Sequence, residues 1–392
     1  MRPLPICLLI GLSVGLSIGL LTACDKEPGP PGVLVITIDT WRADHLSAEL
    51  TPNLHKLAQG GLQLHDAWTP IGLTTAAHAS LFTGLLPPQH GLRGNNHHGY
   101  HLAETHQTLA EQVKAQGWAT AAFVSSYPAG PEGGLHQGFD TSSAPESGER
   151  PTAETVGLAQ AWLGAQSGPW LLWVHANDPH GPYAPDAADL AAVGGGTDDK
   201  ARYRGEVHQA DRLLGPLIAE AQARGALIVV TADHGEVHNE ERCGWQHERS
   251  SSPVVLRVPL VIAGPGVPQG RRDGLVGITD IAHTALTWAK LPPLPGSSSL
   301  DLLAGDDPSR ALWAAESGLC DPECTPGCNP PGFLGKDRVV YGSQGGLYVV
   351  RPGFGEYGEQ DLARGLESYD LPREPPGSPD ADQARALGYQ DP

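Results

Sequence analysis

Positive charge is what this sequence has least of. Against 44 aspartates and glutamates stand only 25 lysines and arginines, a formal charge of −19 over 392 residues. Sequence-independent binding to nucleic acid needs a basic footprint, so that class of function is not expected. Long apolar runs are also scarce: the stretch Cys7 to Leu21 is broken by Gly and Ser and is short for a membrane span. No internal repeat is evident. Cysteine is limited to six residues, while glycine (50) and proline (36) are plentiful, which predicts long loops between regular elements. The length allows one large core or two unequal domains.

The N-terminus reads as a targeting segment. Arg2 precedes the apolar stretch, which ends in Leu21-Thr22-Ala23-Cys24. Small residues closing on a cysteine are the pattern of a bacterial lipoprotein signal, with residues 1–23 cleaved and the Cys24 thiol lipidated. An ordinary secretory signal or a short anchor is the alternative. Asp25 would favour retention at the inner membrane by the enteric sorting rule, and residues 24–32 form a Pro/Gly-rich tether. The expected location is therefore the periplasmic side of a bacterial cell envelope. Export leaves Cys243, Cys320, Cys324 and Cys328 as an even set in an oxidising compartment, with three pairings open. A zinc knuckle over Cys320–Cys328 fits no common spacing, so a stapled loop is expected there.

Strand and helix patterns alternate along most of the chain. Val33 to Ile38 is an apolar run closing on Asp39, and Ala226 to Ala232 repeats the design before Asp233-His234. Further strands are expected at Ala119 to Ser125, Trp170 to Asn177 and Pro259 to Ala263. Helices are expected from Pro52 after the Thr51 cap, then over Thr75–Phe82, Thr108–Gln116, Thr152–Gln166, Asp198–Arg224 and Thr279–Ala289. This alternation predicts an α/β fold, a doubly wound, mostly parallel sheet, over residues 33–295. Residues 296–392 change character, and Arg338 to Val350 reads as a hairpin around Gln344-Gly-Gly in a small antiparallel C-terminal subdomain with a polar tail.

In open α/β sheets ligands gather beyond the carboxyl ends of strands. Asp39, Asp233 and His234 fall there, and their oxygen and nitrogen donors suit zinc or manganese better than calcium. Between them in sequence, Thr74 begins a helix, where backbone N–H groups and the helix dipole favour an anionic ester. A metal on its hydroxyl would make it a nucleophile at neutral pH; otherwise Thr74 or Thr75 merely caps the helix. His180 follows a buried strand in Asp178-Pro179-His180, and His247 follows the Asp233 strand. These two, with Asp178, are expected to protonate the leaving group, touch the transferred oxygens or hold a second metal ion. His78 either enters the site or faces the outer turn of its helix. Asn95 is expected to line the pocket.

The chain resembles the sulfatase-like branch of the alkaline phosphatase superfamily. The resemblance rests on short motifs in order: Ile38-Asp39-Thr40-Trp-Arg-Ala-Asp44, Thr51-Pro-Asn-Leu, Ala79-Ser-Leu-Phe-Thr-Gly84, Pro88-Gln-His90-Gly, Gly138-Phe-Asp140, Asp178-Pro-His180-Gly-Pro-Tyr183, Tyr203-Arg-Gly-Glu-Val207, Asp233-His-Gly-Glu236, Arg257-Val-Pro-Leu260 and Tyr369-Asp-Leu371. It implies an alkaline phosphatase-like fold and a metal-dependent ester hydrolase. The departures carry as much. Where arylsulfatases have the formylglycine motif, this chain reads Thr74-Thr-Ala-Ala-His78; Thr40 replaces a second ligand Asp, the Lys-x-His anion clamp expected near Ser125–Ser126 is missing, and His234 stands where Asn is common. A Thr nucleophile beside Asp and His is similar to the phosphodiesterase, phosphonate hydrolase and phosphoglycerol-transferase branches.

The expected function is therefore hydrolysis of a phosphoric or sulfuric ester of a small molecule, glycan or lipid. Phospho-esters are favoured, the route is a covalent Thr74 ester, and one or two divalent ions take part. Three alternatives remain open: an envelope phospho-group transferase, a sulfatase working without formylglycine, and an inactive periplasmic binding protein.

Overall fold

The structure is a computed structural model that describes residues 32–238, 247–248, 250, 252–297, 299–305, 312–316, 338–342 and 347–350. The expected signal, Cys24, the tether up to residue 31, the cysteines Cys243, Cys320, Cys324 and Cys328, and the polar tail lie outside the described residues.

Eight strands form the main sheet: β1 (Gly32–Ile38), β2 (Leu62–Trp68), β3 (Ala119–Val124), β4 (Thr141–Ser143), β5 (Trp170–Ala176), β6 (Leu227–Thr231), β7 (Arg257–Ala263) and β8 (Gly270–Gly277). Their spatial order is β4-β3-β5-β1-β6-β7-β2-β8. All neighbours run parallel except β7, which opposes both β6 and β2. Every residue of β1, β5 and β6 is buried, which is why these segments are largely apolar instead of alternating, with Thr37, His175 and Thr231 as polar exceptions near their ends.

The helices are α1 (Pro52–Gly60), α2 (Thr74–Thr83), α3 (Pro87–His90), α4 (Leu109–Lys114), α5 (Thr152–Gly164), α6 (Ala187–Ala192), α7 (Asp199–Ala223), α8 (Pro253–Leu256) and α9 (Asp280–Trp288). One group, α1, α5 and α7, packs together; α2, α4 and α9 form a second. The doubly wound α/β architecture is thus present, with element ends within a residue or two of the sequence reading. The start of α4 shows why: Thr108 Oγ1 accepts from Glu111 N, and Glu111 Oε2 accepts from Thr108 N, a reciprocal cap written in Thr-x-x-Glu. Among the described residues no helix is long and apolar enough to cross a membrane.

A second sheet holds β9 (Leu312–Glu316), β10 (Arg338–Gly342) and β11 (Leu347–Val350), all antiparallel in the order β11-β10-β9. The expected hairpin is β10 with β11. Strands β2, β4 and β8 were not legible in the sequence.

Register positions the site. In β1, Thr37 lies opposite His175 of β5 on one side and Thr231 of β6 on the other. Side chains two apart in a strand share a face. Asp39 and Asp233, each two residues past this row, therefore emerge at the same level from adjacent strands, on the face that carries Thr37 and His175.

Candidate metal centre and nucleophile

Asp39 is held at its strand end by a strained turn. Its N–H donates to Ala176 O at 2.9 Å, and Thr40 follows with φ of 53°, a left-handed conformation rare for a β-branched residue. The Thr40 hydroxyl lies 2.7 Å from Pro179 O, and Thr40 O accepts from Tyr203 Oη at 2.8 Å. Thr40 therefore faces the backbone of the next loop and is no ligand. On the other strand, Gly235 N donates to Val255 O at 2.7 Å, and a Cβ at Gly235 would collide with Val254 O. The glycine of Asp-His-Gly is required by this close approach.

The donor atoms converge. His234 Nε2 lies 3.7 Å from Asp39 Oδ1 and 3.4 Å from Asp233 Oδ2. The ligand atoms of Asp39, Asp233 and His234 all lie within 4.8 Å of one another. Asp39 Oδ1, Asp233 Oδ2 and His234 Nε2 are buried and make no hydrogen bond among the described residues. Three orphaned polar atoms aimed at one point, two of them carboxylate oxygens, fit a divalent cation.

The electrostatics agree. Burial would raise the Asp39 pKa, but His175, His180 and His234 around it outweigh that and hold its carboxyl well below the ordinary range. Asp233 is pushed well up by burial and by the Asp39 charge. Burial, with His247 beside it, keeps His234 neutral, the form a metal needs.

Thr74 opens α2, a helix whose ten residues are all buried. Its hydroxyl points at Asp39 Oδ2 across 3.4 Å. Leu73, at the cap position, offers no side-chain acceptor, and Asn95 Oδ1 supplies it by accepting from Thr75 N at 2.9 Å. The Thr75 hydroxyl donates to Pro128 O at 2.7 Å, so Thr75 is committed elsewhere and Thr74 is the hydroxyl left facing the carboxylates. Asn95 thus serves the helix that presents Thr74.

His78 turns inward, and both ring nitrogens are occupied. Nδ1 donates to Thr74 O at 2.7 Å, and Nε2 lies 2.8 Å from the Thr37 hydroxyl. Burial and the neighbouring His175 push its pKa down to about 3.

His247 stacks on His234 at 4.3 Å, and the His180 ring lies 5.4 Å from His247. Glu149 Oε1 stands 3.2 Å from His180 Nδ1, and Glu236 Oε2 stands 3.4 Å from His247 Nδ1. Burial would lower the His180 pKa, but Glu149, Asp39 and Glu236 together raise it to about 10. Asp178 stands apart from the convergent donors, beside Thr152 and Gln209, and burial raises it to about 6.

Two site residues escaped the sequence reading, His175 and Glu149, and Glu236 entered it only within the Asp233-His-Gly-Glu236 motif, without a role. His175 carried a signal, a lone histidine after the apolar run Trp170–Val174 of a central strand. Glu149 carried none, because only the fold brings it to His180.

A protein-family model described as Sulfatase matches residues 31–291. The chain belongs to the sulfatase family. Bovine (Bos taurus) arylsulfatase A is 36% identical over 142 residues, covering 33% of this chain. That match spans 27% of the arylsulfatase's own length, about a quarter. Among solved structures, the phosphonate monoester hydrolase of Agrobacterium radiobacter superposes with a TM-score of 0.61 at 20% identity, over 91% of this chain and 93% of that one. A protein solved with its substrate D-glucosamine-2-N,6-O-disulfate gives 0.68 at 14%, over 87% and 96%. These likenesses fix the fold as alkaline phosphatase-like. The sulfatase family generally uses a divalent metal, and this member retains a coherent ligand group for one.

Proposed function

We propose that this sulfatase-family chain is a metal-dependent ester hydrolase that uses Thr74 as nucleophile and prefers phosphate or phosphonate esters. The observation that carries this is the Thr74 hydroxyl at the N-terminus of α2, 3.4 Å from Asp39 and facing buried, unpaired donors. Asp39, Asp233 and His234 would hold the ion, with zinc or manganese favoured by the imidazole. When bound, the ion supplies Lewis-acid activation of the hydroxyl and stabilisation of charge on the transferred group.

The chain's residues account for the rest. The hydroxyl proton of Thr74 is directed at Asp39 Oδ2, and the oxygen attacks the tetrahedral centre in line. The α2 N-terminus meets the anionic oxygens. His180, held cationic by Glu149, gives a proton to the leaving alkoxide, and water then resolves the Thr74 ester. His247 orients between Glu236 and His234. The phospho-ester preference is supported by the threonine itself, which cannot become formylglycine by the known oxidation of Cys or Ser, and by the likeness to a phosphonate monoester hydrolase.

The full chain is tested with p-nitrophenyl phosphate, bis(p-nitrophenyl) phosphate, p-nitrophenyl phenylphosphonate and p-nitrophenyl sulfate, beside Thr74→Ala. Metal-dependent turnover of a phospho-ester that falls about 1,000-fold or more in Thr74→Ala supports the proposal. Turnover of the sulfate alone, or full activity in Thr74→Ala, overturns it.

We further propose that the chain is lipid-anchored through Cys24 on the periplasmic side of a bacterial envelope, supported by Leu21-Thr-Ala-Cys24. Palmitate labelling that persists in Cys24→Ser would remove this part.

A further inference from the structure

His175 is wholly buried; among the described residues its Nδ1 has no hydrogen-bond partner, and its Nε2 meets the Asp39 carboxylate at 3.3 Å without the alignment of a good hydrogen bond. An imidazole in that state has exchanged its water for one carboxylate contact, which leaves a nitrogen lone pair short of a partner. Its neighbour His78 shows the contrast. The chain Trp173 Nε1–H to Thr37 Oγ1 at 3.0 Å, Thr37 Oγ1–H to His78 Nε2 at 2.8 Å, and His78 Nδ1–H to Thr74 O at 2.7 Å satisfies every member. The ligand atoms of His78, His175 and Asp233 lie within 4.8 Å, but His78 is thereby engaged and His175 is the donor left over.

We propose that His175 is a ligand of the metal centre. The donor set becomes two carboxylates and two imidazoles, with the Thr74 hydroxyl at the remaining position, and it selects a first-row transition ion over calcium or magnesium. This inference rests on the metal-dependent reading above. Its support is geometric. Neighbouring donors bound at zinc-type distances stand roughly 3 to 3.5 Å apart. His175 Nε2 lies 3.3 Å from Asp39 Oδ2, His234 Nε2 lies 3.4 Å from Asp233 Oδ2, and Thr74 Oγ1 lies 3.4 Å from Asp39 Oδ2. Calcium takes six to eight oxygen ligands at longer range, and a donor set with two imidazoles does not serve it. Register explains how the ligand arrives: His175 sits beside Thr37 on the strand flanking β1, on the face shared with Asp39 and Asp233.

The competing role is an outer one, in which His175 only orients Asp39, and the test separates the two. The full chain, its His175→Ala and His175→Gln variants, and His234→Ala are loaded with one equivalent of Zn²⁺. X-ray absorption then counts the imidazoles per ion, zinc affinity is measured by chelator competition, and circular dichroism reports the fold. We expect His175→Ala and His175→Gln to lose one imidazole per ion, as His234→Ala does. Zinc affinity should fall beyond the 10- to 100-fold typical of outer-shell changes, with weak Mg²⁺ and Ca²⁺ binding unchanged. An imidazole count that stays constant in a folded His175→Ala protein overturns this inference and leaves the metal-dependent reading intact. A folded native chain that binds no zinc overturns both.

Discussion

Asp39 and Asp233 leave adjacent strands at the same level and are almost wholly buried, so they repel each other in the absence of a cation. That gives a prediction in which one substitution changes sign with conditions. In EDTA, Asp233→Asn should melt above the native protein, because burial and the Asp39 charge oppose ionisation of Asp233 and Asn has no charge to suppress. In zinc or manganese at 100 times the dissociation constant, the native protein gains about 2.7 kcal/mol from binding and Asp233→Asn gains almost none. Thermal unfolding with and without metal checks both halves; a variant that melts lower in EDTA contradicts the account. At this scale Asp39, Thr74, Asp233 and His234 were legible because each ends or begins an element whose pattern is clear. Glu149 was not, and the partner of Glu236 was not, because the two glutamates meet His180 and His247 only across loops.

Among the elements, α2 depends on a residue outside itself. Leu73 gives no cap, and Asn95, twenty residues on, accepts the Thr75 amide instead. Asn95→Ala should cost about 1 kcal/mol of stability, the usual worth of an N-cap. It should also lower kcat more than it raises KM, because the loosened first turn carries Thr74. A steady-state comparison checks this, and an unchanged kcat would separate the cap from catalysis. The sequence placed Asn95 near the pocket but could not show which amide it serves. The strands tell a similar story. β1, β5 and β6 are buried on both faces and largely apolar, and so announce themselves, whereas β2 carries Gln63, His65 and Asp66 on half-buried positions and β8 opens with Gly-Arg-Arg-Asp at the sheet edge. Such strands exist because neighbours pair with them, and pairing is not written locally.

At the scale of the whole molecule, buried acid away from the donor cluster makes stability depend on pH. Glu206 on α7 is pushed up to about 9 by burial, with the Asp178 and Glu149 charges adding to it. Its folded pKa is above the ordinary value near 4.5, so its contribution is fully present below that value and declines as pH rises towards 9. Glu206→Gln cannot ionise and keeps an oxygen to accept the Ala184 amide that Glu206 now receives. Its melting temperature should match the native protein near pH 5 and exceed it by about 2 °C or more at pH 8. Parallel melting curves at the two pH values check this, and a difference that shrinks with rising pH would contradict it.

The placement of β1 beside β6 bears on the order of events in the life of the chain. Asp39 and Asp233 are neighbours in space but 194 positions apart in sequence. A chain emerging from synthesis therefore holds half a binding site until its middle strand arrives, and α7 must fold between the two. An ion bound as proposed would be captured late in folding and would pin the first strand of the sheet to one made much later. Stripping the metal should loosen that seam first, so amide protons of β1 and β6 should exchange faster in EDTA while those of β3 stay protected.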